Sequence, residues 1–521
     1  MGGLLLSLAV AAVRPDAASA QQLPPATPGQ PPTTLPPTTP GPPTTGPGEP
    51  SAPPTVTPTP TPSEAQPVPV IPESQLIPNP TVPSVPQRVL PTPVLRGPTT
   101  ARFQLEPTLT LSEEYTDNFD LTERNRRSNF RSTVAPGLGL TLNTPLIKGL
   151  VAYKFAPSYD TADDETSLFH SLLGQVVWDV TPRWKLTLAD ALTRSDQPGE
   201  ADRLGLRQQR QTFTSNIASI VSDYLIGSVA TRESYQFATF SDDTSDTKSH
   251  TLSVSATVPI YQTNSLSAGY EYLTSQTTGG SSTGTNGLGS SGDSDVSGHR
   301  VTAGVARQLN RLYTLGITGS YALRKVTDDT TGNSHFRLWN VSVSSDYQVT
   351  GRLKITSLLG VSRVTTDSGD SVGPNLSTRT NITYQFARAE VSLGLDRGFS
   401  ETFSDGQNFG VVETEGVTGS LAYRLTPSFT ATLSGAYRRS KTTGIGDPTQ
   451  STANEETRNW GGTFLLSWLI RRSLGLELGY TYTKQVGSDS RQTSQSGANR
   501  GFGIENSYTE NRVRVSVNLT F

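Results

Sequence analysis

The last nine residues of the chain, VRVSVNLTF, carry an apolar side chain at every second position and end on Phe521. Side chains point alternately to the two faces of a strand, so this segment has one apolar face and one polar face. The same pattern is found in 103–115, 151–155, 252–260 and 474–482. It recurs about twenty times from residue 101 onward, and such repetition indicates a transmembrane β-barrel.

The segments between these strands alternate in length. Short turns rich in Asn, Pro, Ser and Gly are predicted near 143–145, 181–183, 222–223, 262–264, 310–311, 350–351, 387–388, 426–428 and 471–472. Longer polar connections are predicted at 116–128, 160–166, 195–208, 240–247, 277–297, 325–334, 367–376, 400–408, 442–456 and 487–505. A soluble sandwich has no reason to separate its loops by length, and a propeller would repeat every four strands. A barrel with short periplasmic turns and longer outer loops fits the pattern.

The sequence therefore predicts an all-β fold, a single large antiparallel up-and-down transmembrane β-barrel of about 20 strands, within 18 to 22. Aromatic residues near the strand ends predict a girdle at each membrane interface. Those beside the short turns are Trp184, Tyr313, Phe429 and Trp468, and those towards the long connections are Tyr159, Phe237, Tyr272, Tyr321, Phe336, Tyr437 and Trp460.

Two segments precede the barrel. Residues 1–20 are predicted to be a signal peptide, with an apolar stretch over 4–13 and small residues at Ala18-Ser19-Ala20. Residues 21–100 hold 27 of the 38 prolines and predict a disordered, proline-rich periplasmic linker. This linker is either a solvated spacer or a tether to peptidoglycan or an inner-membrane partner. Residues 101–521 form the predicted outer-membrane barrel.

Composition removes several classes of function. The chain has no cysteine, which excludes thiol catalysis, disulfides and c-type haem attachment. The formal net charge of −3 gives no global field that would attract nucleic acid. The hydrophobic fraction of 33% is low for a soluble protein of this length, and a barrel with a polar interior accounts for it.

Two short segments resemble a known family. Residues 114–122, EYTDNFDLT, are similar to the opening segment of the outer-membrane β-barrel porin type 2 family, and 135–140, APGLGL, are similar to its second strand. The resemblance covers about 101–521 and implies an outer-membrane barrel whose relatives accompany exopolysaccharide or capsule systems. The terminal Phe521 resembles the aromatic signal that the barrel-assembly machinery reads. The proline-rich extension lies outside the resemblance.

No pattern of catalytic or metal-binding residues is present. His170, His250, His299 and His335 lie on different predicted strands without metal-ligand spacing. No Gly-x-Ser-x-Gly elbow between a strand and a helix accompanies the serines, and the acidic loops lack the spacing of an EF-hand. We therefore expect that the protein is not an enzyme and holds no cofactor and no metal.

Strand alternation instead predicts which side chains line the lumen. The predicted lumen residues are Glu106, Glu114, Arg131, Lys148, Lys154, Lys185, Glu271, Lys354, Asp396, Arg424, Arg438, Glu477 and Arg514. Two interpretations remain open at this point. The residues either line a hydrophilic channel for polar solutes, or form a self-neutralising plug of ion pairs and folded-in loops.

The leading hypothesis is a channel in the outer membrane of a Gram-negative bacterium that passes polar solutes and serves surface polysaccharide export. The alternatives are a structural anchor or adhesive barrel with a periplasmic proline-rich tether, and a sheath for an electron-transfer partner. The expected partners are outer-membrane lipids, the barrel-assembly machinery and, through 21–100, periplasmic polysaccharide-export proteins or peptidoglycan.

Overall fold

The described part of the chain forms one closed barrel. A computed structural model describes residues 102–198, 210–243, 245–261, 263–278, 293–328, 332–367, 369, 371–403, 410–443, 456–488 and 507–521. Within these ranges 20 strands follow one another, each paired antiparallel with the next. Strand β1 (Phe103–Thr116) also pairs with β20 (Ser507–Thr520), which closes the sheet. The predicted fold and strand number are confirmed. The predicted signal peptide and proline-rich linker lie outside the described residues.

Each of the remaining strands has a length that suits a single crossing of a membrane. They are β2 (Asn129–Asn143), β3 (Ile147–Asp160), β4 (Glu165–Thr181), β5 (Trp184–Ser195), β6 (Phe213–Ile226), β7 (Val229–Asp242), β8 (Asp246–Tyr261), β9 (Asn264–Thr278), β10 (Ser294–Asn310), β11 (Tyr313–Asp328), β12 (Gly332–Gln348), β13 (Leu353–Thr366), β14 (Ser371–Gln385), β15 (Ala389–Glu401), β16 (Val411–Thr426), β17 (Phe429–Thr442), β18 (Glu456–Arg471) and β19 (Leu474–Ser488). Among the described residues, no helix is long and apolar enough to cross a membrane.

The register at the closing seam shows how the pattern selects the pairing. Leu109 lies opposite Leu519, and Leu111 lies opposite Val517, so apolar side chains share one face. On the other face the Thr110 hydroxyl donates a hydrogen bond to Asn518 Oδ1 at 2.8 Å. A slip by one residue would exchange the two faces, so the alternation fixes the register.

The outer face of the barrel is an apolar belt. Large apolar side chains that point outward remain exposed on every side of the barrel, among them Leu105, Leu188, Leu252, Val301, Val341, Leu359, Leu433 and Val515. Exposure of so many aliphatic side chains to water would be unfavourable, whereas lipid chains would cover them. The belt therefore marks the surface that faces lipid.

One predicted turn is wrong. Residues Ser222 and Asp223 lie inside β6, and the turn falls at Gly227 and Ser228. Gly227 has a φ of 62°, a left-handed conformation that glycine adopts without steric cost. The tight turn therefore comes at the glycine, and the polar pair before it continues the strand.

The predicted long connections are shorter than expected at four places. Only 161–164, 243–245, 329–331 and 367–370 separate the strands there. Polar residues that were assigned to loops extend the hairpins instead, as where Thr247 pairs with Phe240. Ser, Thr and Asp still take part in a backbone ladder, so polarity alone did not mark the ends of these strands. The strand ends that the longer connections join nevertheless all lie at one end of the barrel, opposite the short turns.

Crowding on the inner face differs around the barrel. A Cβ on Gly298 would lie 2.6 Å from Arg324 Cδ, and one on Gly360 would lie 2.6 Å from Ser342 Cβ. A Cβ on Gly475 or Gly479 would meet nothing closer than 3.7 Å. Side chains converge on the concave face of a curved sheet, so these distances indicate a more crowded inner wall at β10–β13 than at β19.

Candidate functional site in the barrel lumen

The inner face is the candidate functional site. It carries the side chains that alternate with the apolar belt, and contacts between distant strands identify it as the interior. Glu401 at the end of β15, for example, contacts Arg300 on β10 and Arg324 on β11. Strand β15 is not a neighbour of β10 or β11 in the sheet, so these contacts cross the inside of the barrel.

The strand register places all of the predicted lumen residues on the inner face. Those are Glu106, Glu114, Arg131, Lys148, Lys154, Lys185, Glu271, Lys354, Asp396, Arg424, Arg438, Glu477 and Arg514. They do not form one cluster. Some lie in buried ion clusters near the long-connection end, and others lie exposed near the short turns. Their part in conducting solutes stays a prediction.

The first ion cluster consists of Glu271, Arg300, Arg324 and Glu401. Arg324 Nη2 donates to Glu271 Oε1 at 2.9 Å and to Glu401 Oε2 at 3.0 Å. Arg300 also donates to Glu401, and its Nη1 lies 3.4 Å from Glu271 Oε1. All four side chains are buried, and Arg324 is only 1% exposed. Two carboxylates and two guanidinium groups therefore neutralise one another away from water.

An apolar cluster surrounds these charges. Its wall comes from the inward side chains of β9–β13, and its cover comes from the end of β15 and the start of β16. The members are Leu273, Val296, Ala322, Val326, Phe336, Leu338, Val364, Phe399, Phe403 and Val411. From Phe399 to Phe403 every residue is buried, whatever its parity. Pairing with β14 stops at Arg397, whereas pairing with β16 continues to Glu401, so the end of β15 bends into the barrel while it stays attached to β16.

The predicted place of Phe336 in the outer girdle is wrong. Its side chain is 1% exposed and lies 6.1 Å, centroid to centroid, from the Phe403 ring. The outward position next to it belongs to Arg337, and the outer aromatic residue of β12 towards the long connections is Trp339, opposite Tyr321. An aromatic residue was assigned outward because lipid interfaces favour aromatic rings, but a dry interior favours them equally.

The second ion cluster lies at β20, β2 and β3 and includes two residues from the connection between β5 and β6. Arg131 donates to both oxygens of Asp160, at 2.8 and 2.9 Å, and to both oxygens of Asp196, at 2.9 and 2.6 Å. Arg210 donates to Glu510 Oε1 at 2.8 Å and lies 3.7 Å from Asp196. These ion pairs hold both ends of the β5–β6 connection against the inner wall.

Asp196 remains ionised in this setting. Burial disfavours its charged form, but hydrogen bonds from Arg131 and the charges of Arg131 and Arg210 outweigh that cost and hold the pKa of Asp196 below its ordinary value. The connection after β1 is also tied down, because Arg210 Nε donates to the Phe119 carbonyl at 3.0 Å. Phe119 and Leu121 of that connection are buried.

Towards the short turns the inner face is wet. The Lys354 and Asp346 side chains approach to 3.7 Å and remain 54% and 39% exposed. Arg232 and Asp223 pair at 3.0 Å and are 36% and 37% exposed. Other inward charges at this end are Lys148, Lys185, Glu390 and Arg424. The two ends of the inner face therefore hold similar residues in different states of hydration.

Several inner residues were not predicted from the sequence. Arg300 and Arg324 alternate with Val301 and Leu323, so the rule that found Glu271 could have found them. Glu401 could not have been found in this way. It continues the outward row of Leu393 and Leu395, and only the inward bend of the strand end brings it inside.

The histidines lie on the outer face, where three of them share one arrangement. Each Nδ1 is hydrogen-bonded to a tyrosine hydroxyl: His170 to Tyr153 at 2.8 Å, His250 to Tyr235 at 2.7 Å and His299 to Tyr270 at 2.7 Å. Each ring also lies beside a second aromatic ring, those of Phe155, Phe237 and Tyr272. These pairs belong to the aromatic girdle. The described residues contain no group of three His, Asp or Glu side chains that could hold a metal ion.

Comparisons with known proteins identify no family. No family model matches the chain, and no curated protein matches it. Among solved structures, the FrpB iron transporter from Neisseria meningitidis aligns with a TM-score of 0.45 and 10% identity over 80% of this chain and 82% of its own. The siderophore receptor PirA from Pseudomonas aeruginosa aligns with a TM-score of 0.41 and 11% identity over 80% of each chain. Likeness at this level carries no inference about family or cargo.

The barrel itself indicates where the protein lies. A closed antiparallel barrel with an outer apolar belt and aromatic residues near the strand ends is the architecture that crosses an outer membrane. The chain is therefore an outer-membrane β-barrel of a Gram-negative bacterium.

Proposed function

We propose that the barrel is a channel that carries polar solutes across the outer membrane. The observation that supports it most is the exposed, charged inner face near the short turns. Lys354 with Asp346 and Arg232 with Asp223 keep a third or more of their side-chain surface open to water. Barrels of this strand number have room for an aqueous lumen. Charges of both signs would admit solutes without strong selection by charge.

The segments folded inward at the opposite end fit a channel that is narrowed there. The end of β15 crosses to β10 and β11, and the β5–β6 connection is held by Arg131 and Arg210. This arrangement combines the two interpretations of the sequence, with a hydrophilic conduit at one end and a plug of ion pairs at the other. We propose that solute flow depends on how far these segments withdraw from the wall.

We further propose a surface polysaccharide, or its fragments, as the cargo. Hydroxyl and amide side chains on the inner faces of β12 and β14 offer the hydrogen bonds that sugars accept and donate. These side chains are Asn340, Ser342, Ser344, Ser377, Asn381 and Thr383. The resemblance of 114–122 to the porin type 2 family, whose members accompany exopolysaccharide systems, also favours a polysaccharide cargo. The proposed function involves no catalytic step and no cofactor.

The proposal extends to assembly. Phe521 follows β20, is 67% exposed, and donates its backbone N–H to the Pro107 carbonyl at 3.0 Å. An exposed terminal aromatic at the closing seam is accessible to an assembly factor. We propose that it is the signal for the barrel-assembly machinery.

Ion conductance in planar lipid bilayers tests the channel. The folded full-length protein should give discrete current steps, and fragments of the host's surface polysaccharide should block the current in a concentration-dependent way. A neutral polymer of similar size, such as polyethylene glycol, is the matched control for the block. Absence of current from protein that circular dichroism shows to be folded would contradict the channel. Current that the polysaccharide and the control polymer block equally would contradict the cargo alone.

A further inference from the structure

A charged side chain lies within the apolar belt on β5. On the outer face of β5, Leu186, Leu188 and Leu192 point towards lipid, and Asp190 occupies the position between the last two. Its partners across the ladder are Gly174 on β4 and Ala218 on β6, neither of which can form a side-chain hydrogen bond. Asp190 is the seventh of the 12 residues of β5, so it lies near the middle of the bilayer.

A second polar side chain lies beside it. Asn216 on β6 also faces outward, opposite Leu192 and therefore diagonal to Asp190. Asp190 Oδ1 and Asn216 Oδ1 are both buried, and neither has a hydrogen-bond partner among the described residues. Within the hydrocarbon layer no water is present to satisfy such groups. Both side chains are only partly buried, so their polar surface at this depth faces lipid unless another protein covers it.

The surface around the pair would let another protein approach closely. Gly174 and Ala218 flank Asp190, so the outer face has a shallow depression there. On β15–β17 the corresponding outward positions include Leu395, Val417 and Leu433, which form an uninterrupted apolar surface. The polar pair is thus a feature of β4–β6, whereas small outward residues also lie side by side at Gly419, Gly435 and Gly462 on β16–β18.

We propose that the β4–β6 face is the interface with a second copy of this chain in the membrane. The pair is self-complementary, since the amide of Asn216 donates hydrogen bonds and the carboxylate of Asp190 accepts them. Closed assemblies of identical barrels have their symmetry axis along the membrane normal, so equal depths of two copies meet. One copy's Asn216 then lies at the depth where it can donate to Asp190 of the other.

Oligomeric state in the membrane tests the proposal. Counting of photobleaching steps on fluorescently tagged protein in native outer membranes should give two or more copies per particle. The double variant Asp190→Leu, Asn216→Leu should give one. Because these changes complete the apolar row, the variant should still fold, which its heat-modifiable migration on gels would verify. The matched control is Thr378→Leu, Thr380→Leu on the outer face of β14, which should leave the copy number unchanged.

Lipid accessibility gives a second measurement. The chain has no cysteine, so a single bimane label can be placed through Ala218→Cys or, on the opposite wall, through Gly435→Cys. In the otherwise unchanged protein, brominated lipid should quench the label at position 218 at least about threefold less than the label at position 435. Once Asp190 and Asn216 are replaced by leucine, the two labels should be quenched to the same extent. A single copy per particle, or equal quenching at both positions in the otherwise unchanged protein, would overturn the proposal. Weak quenching at position 218 in a particle with a single copy would also overturn the proposal, because a different protein would then shield this face from lipid.

Discussion

The two ends of the inner face carry the same kinds of residue and hold them differently. Near the long connections, Arg324 is 1% exposed and enclosed by carboxylates and apolar side chains. Near the short turns, the side chain of Lys354 is 54% exposed beside Asp346. Both residues alternate with apolar neighbours along their strands, although only Lys354 was predicted from the sequence. The pattern determines which face a side chain occupies, whereas its hydration depends on what folds across that face.

This difference has an energetic consequence. A charge pair in water contributes little, because solvent screens it and the side chains lose conformational freedom. Removal of one member of a buried pair is costly, because the remaining charge has neither water nor a partner. Substitutions at the covered end should therefore change stability and closure, and substitutions at the wet end should change only the electrostatics of conduction.

The largest effect is expected for Glu401→Gln, which keeps the shape of the side chain and removes the charge that Arg300 and Arg324 share. Loss of one partner of such a buried cluster costs about 3–5 kcal/mol. We expect the unfolding free energy in urea, measured in lipid vesicles, to fall by that amount. Mean single-channel conductance should rise, because the end of β15 loses its attachment to β10 and β11.

The control for this variant lies on the same strand. Glu390 points inward near the short turn and is exposed, so Glu390→Gln should change the unfolding free energy by no more than about 0.5 kcal/mol. If both variants gave the same stability and the same conductance, the distinction between the two ends of the lumen would be wrong.

A similar effect is expected at the second cluster. Arg131→Met leaves Asp160 and Asp196 buried without the guanidinium that they share. The β5–β6 connection should then detach from the wall, and trypsin should cleave after Arg210 on the order of tenfold faster or more. Arg127→Met is the control, because its ion pairs with Asp120 and Asp163 involve side chains that are 30–47% exposed. Equal cleavage rates in the two variants would contradict the assigned role of Arg131.

Acid should release the same connection. The pKa of Asp196 is lowered in the folded protein, so its ionised form stabilises the fold above the ordinary aspartate pKa of about 3.9. That stabilisation is lost as the pH falls through the lowered value. We expect the rate of cleavage by an acid-active protease to stay constant from neutral pH down to about 4 and to rise below it. Asp196→Asn should cleave faster at neutral pH and lose this dependence, and a release already complete at pH 6 would contradict the assignment.

The alternation of side chains in the sequence was enough to predict the closed barrel, the strand number and the inward face of residues such as Lys354 and Arg514. It could not predict which segments fold across the inner face. Glu401 follows an outward row and turns inward only because the end of β15 separates from β14 and bends into the barrel. Asp196 and Arg210 lie in a connection, where no period assigns a direction. Long-range folding of strand ends and loops onto the inner face has no local signal, so the covered end emerged only from the three-dimensional arrangement.

The smallest effect on stability is expected at the wet end, with Lys354→Glu. The Lys354–Asp346 pair is largely exposed, so its loss should cost less than about 1 kcal/mol. The substitution also places a negative charge beside Asp346 on the conduit wall, where a ring of one sign favours ions of the other. In a gradient of potassium chloride across a planar bilayer, the reversal potential should shift towards cation selectivity, and less so at high salt. Lys248→Glu, on the outer face of β8, is the matched control and should leave the reversal potential unchanged. A shift of equal size in both variants would mean that Lys354 does not face the conducting path.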